Sequence, residues 1–260
     1  MQRSVLYNFG FAGAVCVVCA VVVSGAAVSL KDRQALNAAL DKQKSVLIAA
    51  GLAEDGEDLS REEVASRFQP IRQLVIDTKT GEVLPEVDPI GFDQDRLAVD
   101  PGTSRRAPRN RALVQRIPDR ALIYEKLGED GKPELYVFPV EGKGLWSTLK
   151  GFFALDADLQ TVRGLTFYDH KETPGLGGEV DNPRWKSLWP GRKVYGEDGA
   201  VELEVIKGRA GPPGEAPYRV DGLAGATITS RGVTNLIRFW LGENGFDPFL
   251  ERVRAERRQS

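Results

Sequence analysis

Cysteine and histidine are almost absent from this sequence. Of its 260 residues only Cys16 and Cys19 are cysteine, and only His170 is histidine. Both cysteines lie in an apolar N-terminal run, so the rest of the chain has no disulfide, no thiol nucleophile and no cysteine-based metal site. A single histidine excludes a multi-histidine cluster and argues against a zinc enzyme or a Ser-His-Asp hydrolase. We therefore predict no metal site and no catalytic residue.

Strong charge of one sign and the common nucleotide-binding fingerprints are also missing. The formal net charge is −2, which argues against general binding of nucleic acid. No glycine-rich stretch is followed by Gly-Lys-Ser/Thr, as a P-loop requires, and none has the dinucleotide pattern Gly-x-Gly-x-x-Gly. There is no internal repeat. Length and composition predict one globular domain with a small appendage.

One stretch lacks charge altogether. No charged residue stands between Arg3 and Lys31, and residues 5–30 are dominated by apolar and small side chains. This run exceeds the roughly 20 residues that a helix needs to cross a bilayer, and also the ~7–15 apolar residues of a signal peptide. We favour a retained anchor at 1–32, although small residues at 24–27 leave a cleaved signal peptide as the alternative. Basic residues flank the run on both sides, so its orientation is undecided.

Hydrophobic periodicity predicts an α+β domain over residues 33–260, with an antiparallel sheet and flanking helices. Gly51 is expected to end a helix that continues from the anchor, and residues 60–63 have the form of a capping box. We predict helices over 233–241 and 248–256. The predicted strands are 73–77 with a return at 82–84, 121–126, 135–140, 152–156, 162–168 and 201–207.

Residues 88–118 combine proline, aspartate and glycine with a basic run. The run forms either a patch for anionic lipid or nucleic acid, or part of a solvated surface loop. The prolines and the neighbouring Asp93, Asp95 and Asp100 favour the loop, so we assign it no ligand. The basic residues concerned are Arg105, Arg106, Arg109, Arg111 and Arg116.

The strongest candidate for a binding site is the stretch 221–230, Asp-Gly-Leu-Ala-Gly-Ala-Thr-Ile-Thr-Ser. Its small residues permit close approach of a ligand to the backbone. Three hydroxyls, those of Thr227, Thr229 and Ser230, stand at the expected entrance to a helix. Such an entrance presents unpaired N–H groups and the positive end of the helix dipole, which suit a phosphate. On these residues alone the alternative is an ordinary loop with Thr229 or Ser230 as an N-cap.

Two further stretches have a composition that suits a ligand. Residues 170–178, with one proline and three glycines, form either a loop around a flat or anionic group or a simple tight turn. Residues 142–147 read Gly-Lys-Gly-Leu-Trp-Ser, and we predict that Trp146 faces a ligand, whereas Trp240 is expected in the core. His170 and Glu172 flank one another without a nucleophile, so they are not assigned as an acid–base pair.

Residues 221–227 resemble the flavinylation motif of the periplasmic FMN-binding domain family. That motif is Asp, two variable residues, Ser or Thr, a small residue, Ala and Thr, and Ala224 departs from it. With 142–147, 170–178 and the N-terminal anchor, the whole chain is similar to a family of FMN-carrying subunits of Na+-translocating NADH:ubiquinone reductases. The homologous FMN-carrying subunit of the ferredoxin–NAD electron-transport complexes is the runner-up, and a membrane-tethered binding module without redox function is a third reading.

The resemblance implies an FMN joined through its phosphate to the hydroxyl of Thr227 by a separate flavin transferase that uses FAD and magnesium. The resemblance also implies that Asp221 is needed by that transferase and not for electron transfer. It also implies an uncleaved inner-membrane anchor, a periplasmic domain, and electron relay between redox centres of partner subunits, with no complete active site in this chain alone. The residues expected around the phosphate are Gly225, Ala226, Thr229 and Ser230, and those around the flavin ring are Trp146, Thr173, Gly175, Leu176 and Gly177.

Overall fold

The computed structural model describes residues 5–259 and begins with one long helix, α1, Val5–Ala49. By length and composition, Tyr7–Ala49 suffices to cross a membrane. The chain separates into two compact units, Met1–Lys42 and Gln43–Ser260. The predicted boundary after residue 32 lies inside α1 and stays a prediction.

Helix α1 stops where the glycine signal predicts. Gly51 has φ of +68°, a left-handed conformation that glycine adopts without a steric cost. The N–H of Leu52 donates to the carbonyl of Leu47 at 2.8 Å, and that of Gly51 donates to the carbonyl of Ile48 at 3.0 Å. These bonds satisfy carbonyls that the end of a helix otherwise leaves unpaired.

The next helix, α2, Arg61–Phe68, begins with the predicted capping box. The Ser60 hydroxyl accepts the N–H of Glu63 at 3.2 Å, and the Glu63 carboxylate accepts the N–H of Ser60 at 2.8 Å. Val64 and Phe68 on its inner face are buried. The later helices are α3, Gln94–Val99; a short 3-10 helix, Gly177–Asp181; α4, Pro183–Lys186; α5, Thr227–Trp240; and α6, Asp247–Gln259.

The main sheet is antiparallel throughout and has five strands. The predicted strands at 73–77, 121–126, 135–140, 152–156 and 162–168 all lie inside its strands, and the α+β class is confirmed. These strands are β1, Ile71–Asp77; β4, Arg120–Leu127; β5, Pro133–Lys143; β6, Thr148–Asp156; and β7, Val162–Asp169. In the sheet they lie in the order β1-β4-β5-β6-β7. The others are β2, Ser104–Arg106; β3, Arg116–Pro118; β8, Glu204–Val205; and β9, Arg219–Val220.

Helices cover both faces of the main sheet. On one face α5 approaches β5 so closely that a Cβ at Gly142 would lie 2.6 Å from the Cβ of Leu236. The predicted core residue Trp240 is buried there and donates its indole N–H to the carbonyl of Glu141 at 2.7 Å. On the other face the Phe68 ring packs edge-on against Tyr124, with ring centroids 5.9 Å apart.

Three predicted elements differ from the observed ones. Residues 88–118 are not a simple loop, because they contain α3 and the paired strands β2 and β3. Residues 201–207 contain only the two-residue β8, which pairs in parallel with β9. The return at 82–84 is reduced to a single bridge between Ile76 and Val83. Alternation and turn composition are weak signals for the extent of a strand, because the extent is decided by the pairing that the folded chain permits.

Candidate functional site

Helix α5 begins at Thr227, six residues before the predicted start at 233. Its N-cap is Ala226, which makes no side-chain cap, so the prediction of Thr229 or Ser230 as N-cap is wrong. The first N–H groups of a helix have no partner within the helix, and the dipole places partial positive charge there. The exposed Thr227 therefore carries its hydroxyl at a helix start that favours a negative charge.

One buried carboxylate, that of Glu172, joins all three glycine-containing stretches. Glu172 is only 5% exposed. It accepts the N–H of Trp146 at 2.9 Å, those of Leu145 and Ser147 at 3.2 and 3.3 Å, and the hydroxyl of Thr229 at 2.6 Å. The carboxylate thus holds the 144–147 loop and the first turn of α5 against the loop on which it stands.

The ionised form of Glu172 is the stable one. Burial raises the pKa of Glu172, but the hydrogen bonds from Thr229 and from three backbone N–H groups lower it more. Its pKa therefore lies below the ordinary value for glutamate, because donors that point at a carboxylate favour its charged form. The role of this group is to position the surrounding loops, and no reacting atom is needed to explain it.

Two glycines of the motifs make room for this carboxylate. A Cβ at Gly144 would lie 2.7 Å from Glu172 Oε1, and one at Gly177 would lie 2.6 Å from Glu172 Oε2 and from Thr229 Oγ1. Real Cβ atoms do not approach oxygen so closely, so both positions require glycine. Gly177 is predicted at the flavin ring, and the structure gives it this packing role beneath the loop surface.

Thr229 and Ser230 have partners inside the protein. Thr229 is fully buried and donates to Glu172, and Ser230 accepts the N–H of Leu223 at 3.1 Å. Both are predicted near a phosphate. Their hydroxyls also fix the helix start through these internal hydrogen bonds, and their place beside a phosphate stays a prediction.

Three large apolar side chains of the joined stretches are exposed. Trp146 is 66% exposed, and Leu176 and Ile228 are also exposed. Leu176 lies beside the motif, since a Cβ at Gly225 would approach its Cδ2 to 2.9 Å. Large exposed apolar side chains that gather near one polar group are typical of a ligand surface.

The loop that carries Leu176 has a defined shape. The carbonyl of Thr173 accepts the N–H of Leu176 at 3.1 Å and that of Gly178 at 2.9 Å. Gly175 has φ of +75° and faces open space. The loop is therefore a tight turn that presents Leu176 and Thr173 outward, so the two readings of 170–178 are compatible.

Thr227 borders a cavity of about 640 Å³. Thr227 and Gly225 belong to its wall, and so do three exposed cations, Lys207, Arg209 and Arg231. Within residues 5–259 no carboxylate lies within ion-pair distance of any of the three. The cavity is thus a positively charged recess that Thr227 borders.

Asp221 is part of the wall of this recess and fixes a neighbouring segment. Its carboxylate accepts the N–H of Ala210 at 2.8 Å, and its carbonyl accepts the indole N–H of Trp185 at 2.8 Å. The adjoining Gly222 allows close backbone approach, since a Cβ there would lie 2.2 Å from the carbonyl oxygen of Ile206. The segment that bears Lys207 and Arg209 is therefore fastened to the motif by the motif's own aspartate.

His170 has its own partner. Its Nε2 lies 2.6 Å from Asp181 Oδ2, and this hydrogen bond raises the pKa of the imidazole. The Glu172 carboxylate is bound to other groups, so the two side chains form no acid–base pair, as the sequence indicates.

Sequence reasoning did not find the role of Glu172 or the three cations. Arg231 had a usable signal, because a residue four positions after Thr227 lies on the same face of a helix. Glu172, Lys207 and Arg209 had none, since their relation to Thr227 arises only when distant segments meet.

The comparisons with known proteins agree with this geometry. A model of the FMN-binding domain family matches residues 144–242, which contain every predicted site residue. The chain is 47% identical to the NqrC subunit of the Na(+)-translocating NADH-quinone reductase of Pseudomonas aeruginosa, over 97% of each chain. It is 43% identical to the corresponding protein of Yersinia pestis, over 92% of this chain and 89% of the relative.

Solved structures show the same fold. Shewanella oneidensis NqrC aligns with a TM-score of 0.75 and 32% identity, over 82% of this chain and 96% of that one. The same subunit from Parabacteroides distasonis aligns with a TM-score of 0.63 and 25% identity, over 85% and 96%. By sequence along nearly its full length and by fold, the chain belongs to the NqrC family of Na+-translocating NADH-quinone reductase subunits.

Proposed function

We propose that this protein is the subunit of a membrane-bound, Na+-transporting NADH:ubiquinone reductase that carries FMN as a phosphoester on Thr227 and passes electrons between redox centres of partner subunits. The observation that carries the proposal is the position of Thr227. It is exposed at the start of α5, it lines a cationic recess, and the exposed Leu176 lies against Gly225, two residues before it. FMN has the same division into an anionic phosphate and a flat, largely apolar ring.

The phosphate side of the site fits the cofactor. The uncapped first turn of α5 supplies backbone N–H groups, and Lys207, Arg209 and Arg231 supply positive charge. Both features stabilise a phosphate. Gly225 and Ala226 lie directly before the attachment residue, where small side chains leave the backbone accessible.

The ring side also fits. Trp146 and Leu176 are large, exposed and held on loops that Glu172 fixes. An aromatic side chain and a branched aliphatic one can each lie against a planar ring system, and burial of their surface stabilises the contact. Thr173 and Gly175 border the same turn and complete this surface.

When bound, FMN supplies the reversible uptake and release of electrons, and the chain supplies its attachment, orientation and surroundings. A link through the phosphate leaves the ring chemically unaltered, so retention is separate from redox chemistry. The described residues contain no group of three or more His, Cys, Asp or Glu side chains placed to hold a metal ion. A relay therefore needs the redox centres of other subunits, and Na+ transport belongs to the assembled complex.

The N-terminal helix anchors the protein in the inner membrane, with residues 33–260 on the periplasmic side. The length and apolar character of Tyr7–Ala49 support the anchor. The side is inferred from the family resemblance, because the flanking charges do not determine it. Labelling of an engineered cysteine in the soluble domain with a membrane-impermeant reagent, on intact spheroplasts, tests the side directly.

The attachment is tested by intact mass after co-expression with a flavin transferase. Wild type is expected to gain the mass of one FMN less one water, and peptide mapping is expected to place it on Thr227. Thr227→Val removes the hydroxyl at nearly constant volume and is expected to abolish the adduct completely. Thr229→Ser is the matched control, since it keeps the hydroxyl that donates to Glu172.

An unmodified, colourless wild type would reject the redox proposal in favour of a tethered binding module. An adduct mapped to another hydroxyl would reject Thr227 as the attachment residue.

A further inference from the structure

The cationic recess beside Thr227 holds more positive charge than an attached FMN needs. A phosphodiester carries one negative charge. Lys207, Arg209 and Arg231 carry three positive charges without an ion-pair partner among residues 5–259, and the Asp221 carboxylate in the same wall reduces the net charge of the recess to +2. Like charges that share a recess repel one another, and an anion relieves that cost. The excess indicates a ligand with more negative charge than the final phosphodiester has.

The chemistry of attachment identifies such a ligand. A threonine hydroxyl does not displace hydroxide from a phosphate monoester at a useful rate, so the flavin donor must carry a better leaving group on phosphorus. In a flavin dinucleotide that group is adenylate. The Thr227 Oγ–P bond forms, the P–O bond of the diphosphate bridge breaks, AMP leaves, and the hydroxyl proton passes to a base of the transferase. No oxidation or reduction occurs.

We propose that Lys207, Arg209 and Arg231 bind the diphosphate of the flavin dinucleotide while it is transferred to Thr227, so that the acceptor protein itself supplies part of the phosphate-binding site. This inference rests on the proposed attachment of FMN. The attacking Oγ must reach the phosphorus, so the phosphoryl oxygens lie within a few ångströms of whatever borders Oγ. What borders it is this recess.

Two structural features place the three cations. Arg231 stands four residues after Thr227 on α5, hence on the same helix face. Lys207 and Arg209 stand on the segment that follows β8, where Asp221 holds the N–H of Ala210 at 2.8 Å.

The buried Arg192 fixes the far end of that segment. It donates to the carbonyls of Gly211 at 2.6 Å and Ala216 at 2.7 Å. Asp221 and Arg192 are therefore positioning residues for the recess.

The test is a steady-state measurement of FMN incorporation into the full-length chain by the transferase, with FAD and Mg2+. FAD is varied at saturating acceptor, and the acceptor is then varied at saturating FAD. Arg209→Gln and Arg231→Gln are each expected to lower kcat/KM for FAD about tenfold or more, as the loss of a charged hydrogen bond to phosphate predicts. Arg→Lys at either position is expected to recover part of the rate, since lysine keeps the charge without the planar fork.

Arg184→Gln is the matched control. Arg184 is exposed, and its replacement removes the same charge, but it is not part of the recess wall. The variant is expected to leave both constants unchanged. After prolonged incubation every variant is expected to gain the same mass as wild type, one FMN less one water, because Thr227 is still present. Unchanged melting curves are expected to exclude misfolding.

Equal kcat/KM for FAD in wild type and the glutamine variants would overturn the inference. A change confined to the KM for the acceptor would overturn it too, since the cations would then dock the transferase surface. Neither result affects the proposed function, which fails only if wild type is not modified at Thr227.

Discussion

Two regions of this protein are rich in arginine or lysine, and they use their charge in opposite ways. In residues 88–118, Arg116 donates to the hydroxyl of Ser104 at 2.7 Å, and Arg105 donates to the hydroxyl of Thr78 at 2.6 Å. Around Thr227 the cations have no ion-pair partner among residues 5–259 and face a recess. The side-chain contacts of Arg116 and Arg105 therefore identify them as structural, which their place in a basic run does not show.

The largest expected effect concerns Glu172, whose hydrogen-bonded carboxylate lies at the centre of the Thr227 region. Glu172→Ala removes the acceptor of three backbone N–H groups and of Thr229. Because buried donors that lose their acceptor are costly, we expect the free energy of unfolding to fall by about 3 kcal/mol. Urea denaturation measures it. The exposed Glu197→Ala is the control and is expected to change stability by less than about 0.5 kcal/mol.

Acid is expected to weaken the same cluster but not the hydrogen bonds that Arg116 and Arg105 donate to hydroxyls, because a hydroxyl does not titrate in this range. The folded pKa of Glu172 lies below its unfolded value of about 4.3. Its contribution is therefore complete above the unfolded pKa and is lost as the pH falls through the folded one. We expect wild type to lose more stability than Glu172→Gln between pH 6 and pH 3, as urea denaturation at each pH measures. Parallel pH profiles of the two proteins would show instead that the pKa of Glu172 is the same in the folded and unfolded states.

The smallest effect tests the two regions directly. Arg116→Gln breaks hydrogen bonds that join β3 to β2, so we expect a loss of about 1 kcal/mol in the free energy of unfolding. Arg231→Gln breaks no ion pair and relieves repulsion, so we expect a change within about 0.5 kcal/mol, in either direction. Thermal and urea unfolding of the two variants provide the measurement. Equal destabilisation by both would remove the distinction between structural and binding cations.

Much of the fold was predictable because its signals are local. The strands of the main sheet contain short apolar runs, Gly51 is a helix stop, and Ser60 with Glu63 forms a cap that involves four consecutive residues. The start of α5 was not predictable in the same way. Its first turns contain Thr229, Ser230 and Gly232, which are poor helix formers on their own.

Those residues are helical because of distant partners. Thr229 donates to Glu172, 57 positions away, and Gly232 lets the helix approach the backbone of Lys143, whose carbonyl oxygen would lie 2.4 Å from a Cβ. The site follows the same rule. Thr227, Trp146 and Leu176 belong to motifs that a sequence displays, whereas Glu172 and the recess cations acquire their roles only from tertiary contacts that cross between motifs.

Because the soluble domain contains no cysteine, the Glu172 hydrogen bonds provide the kind of cross-link that a disulfide provides elsewhere. Small regions of irregular chain are often cross-linked by disulfides, which restrict the unfolded chain by closing loops. Here one carboxylate closes loops of 26 and 57 residues, to Trp146 and Thr229, in the folded state alone. This cross-link needs no oxidant to form and no isomerase to correct it. The cofactor site can therefore assemble as soon as the chain folds, and reductants leave it intact.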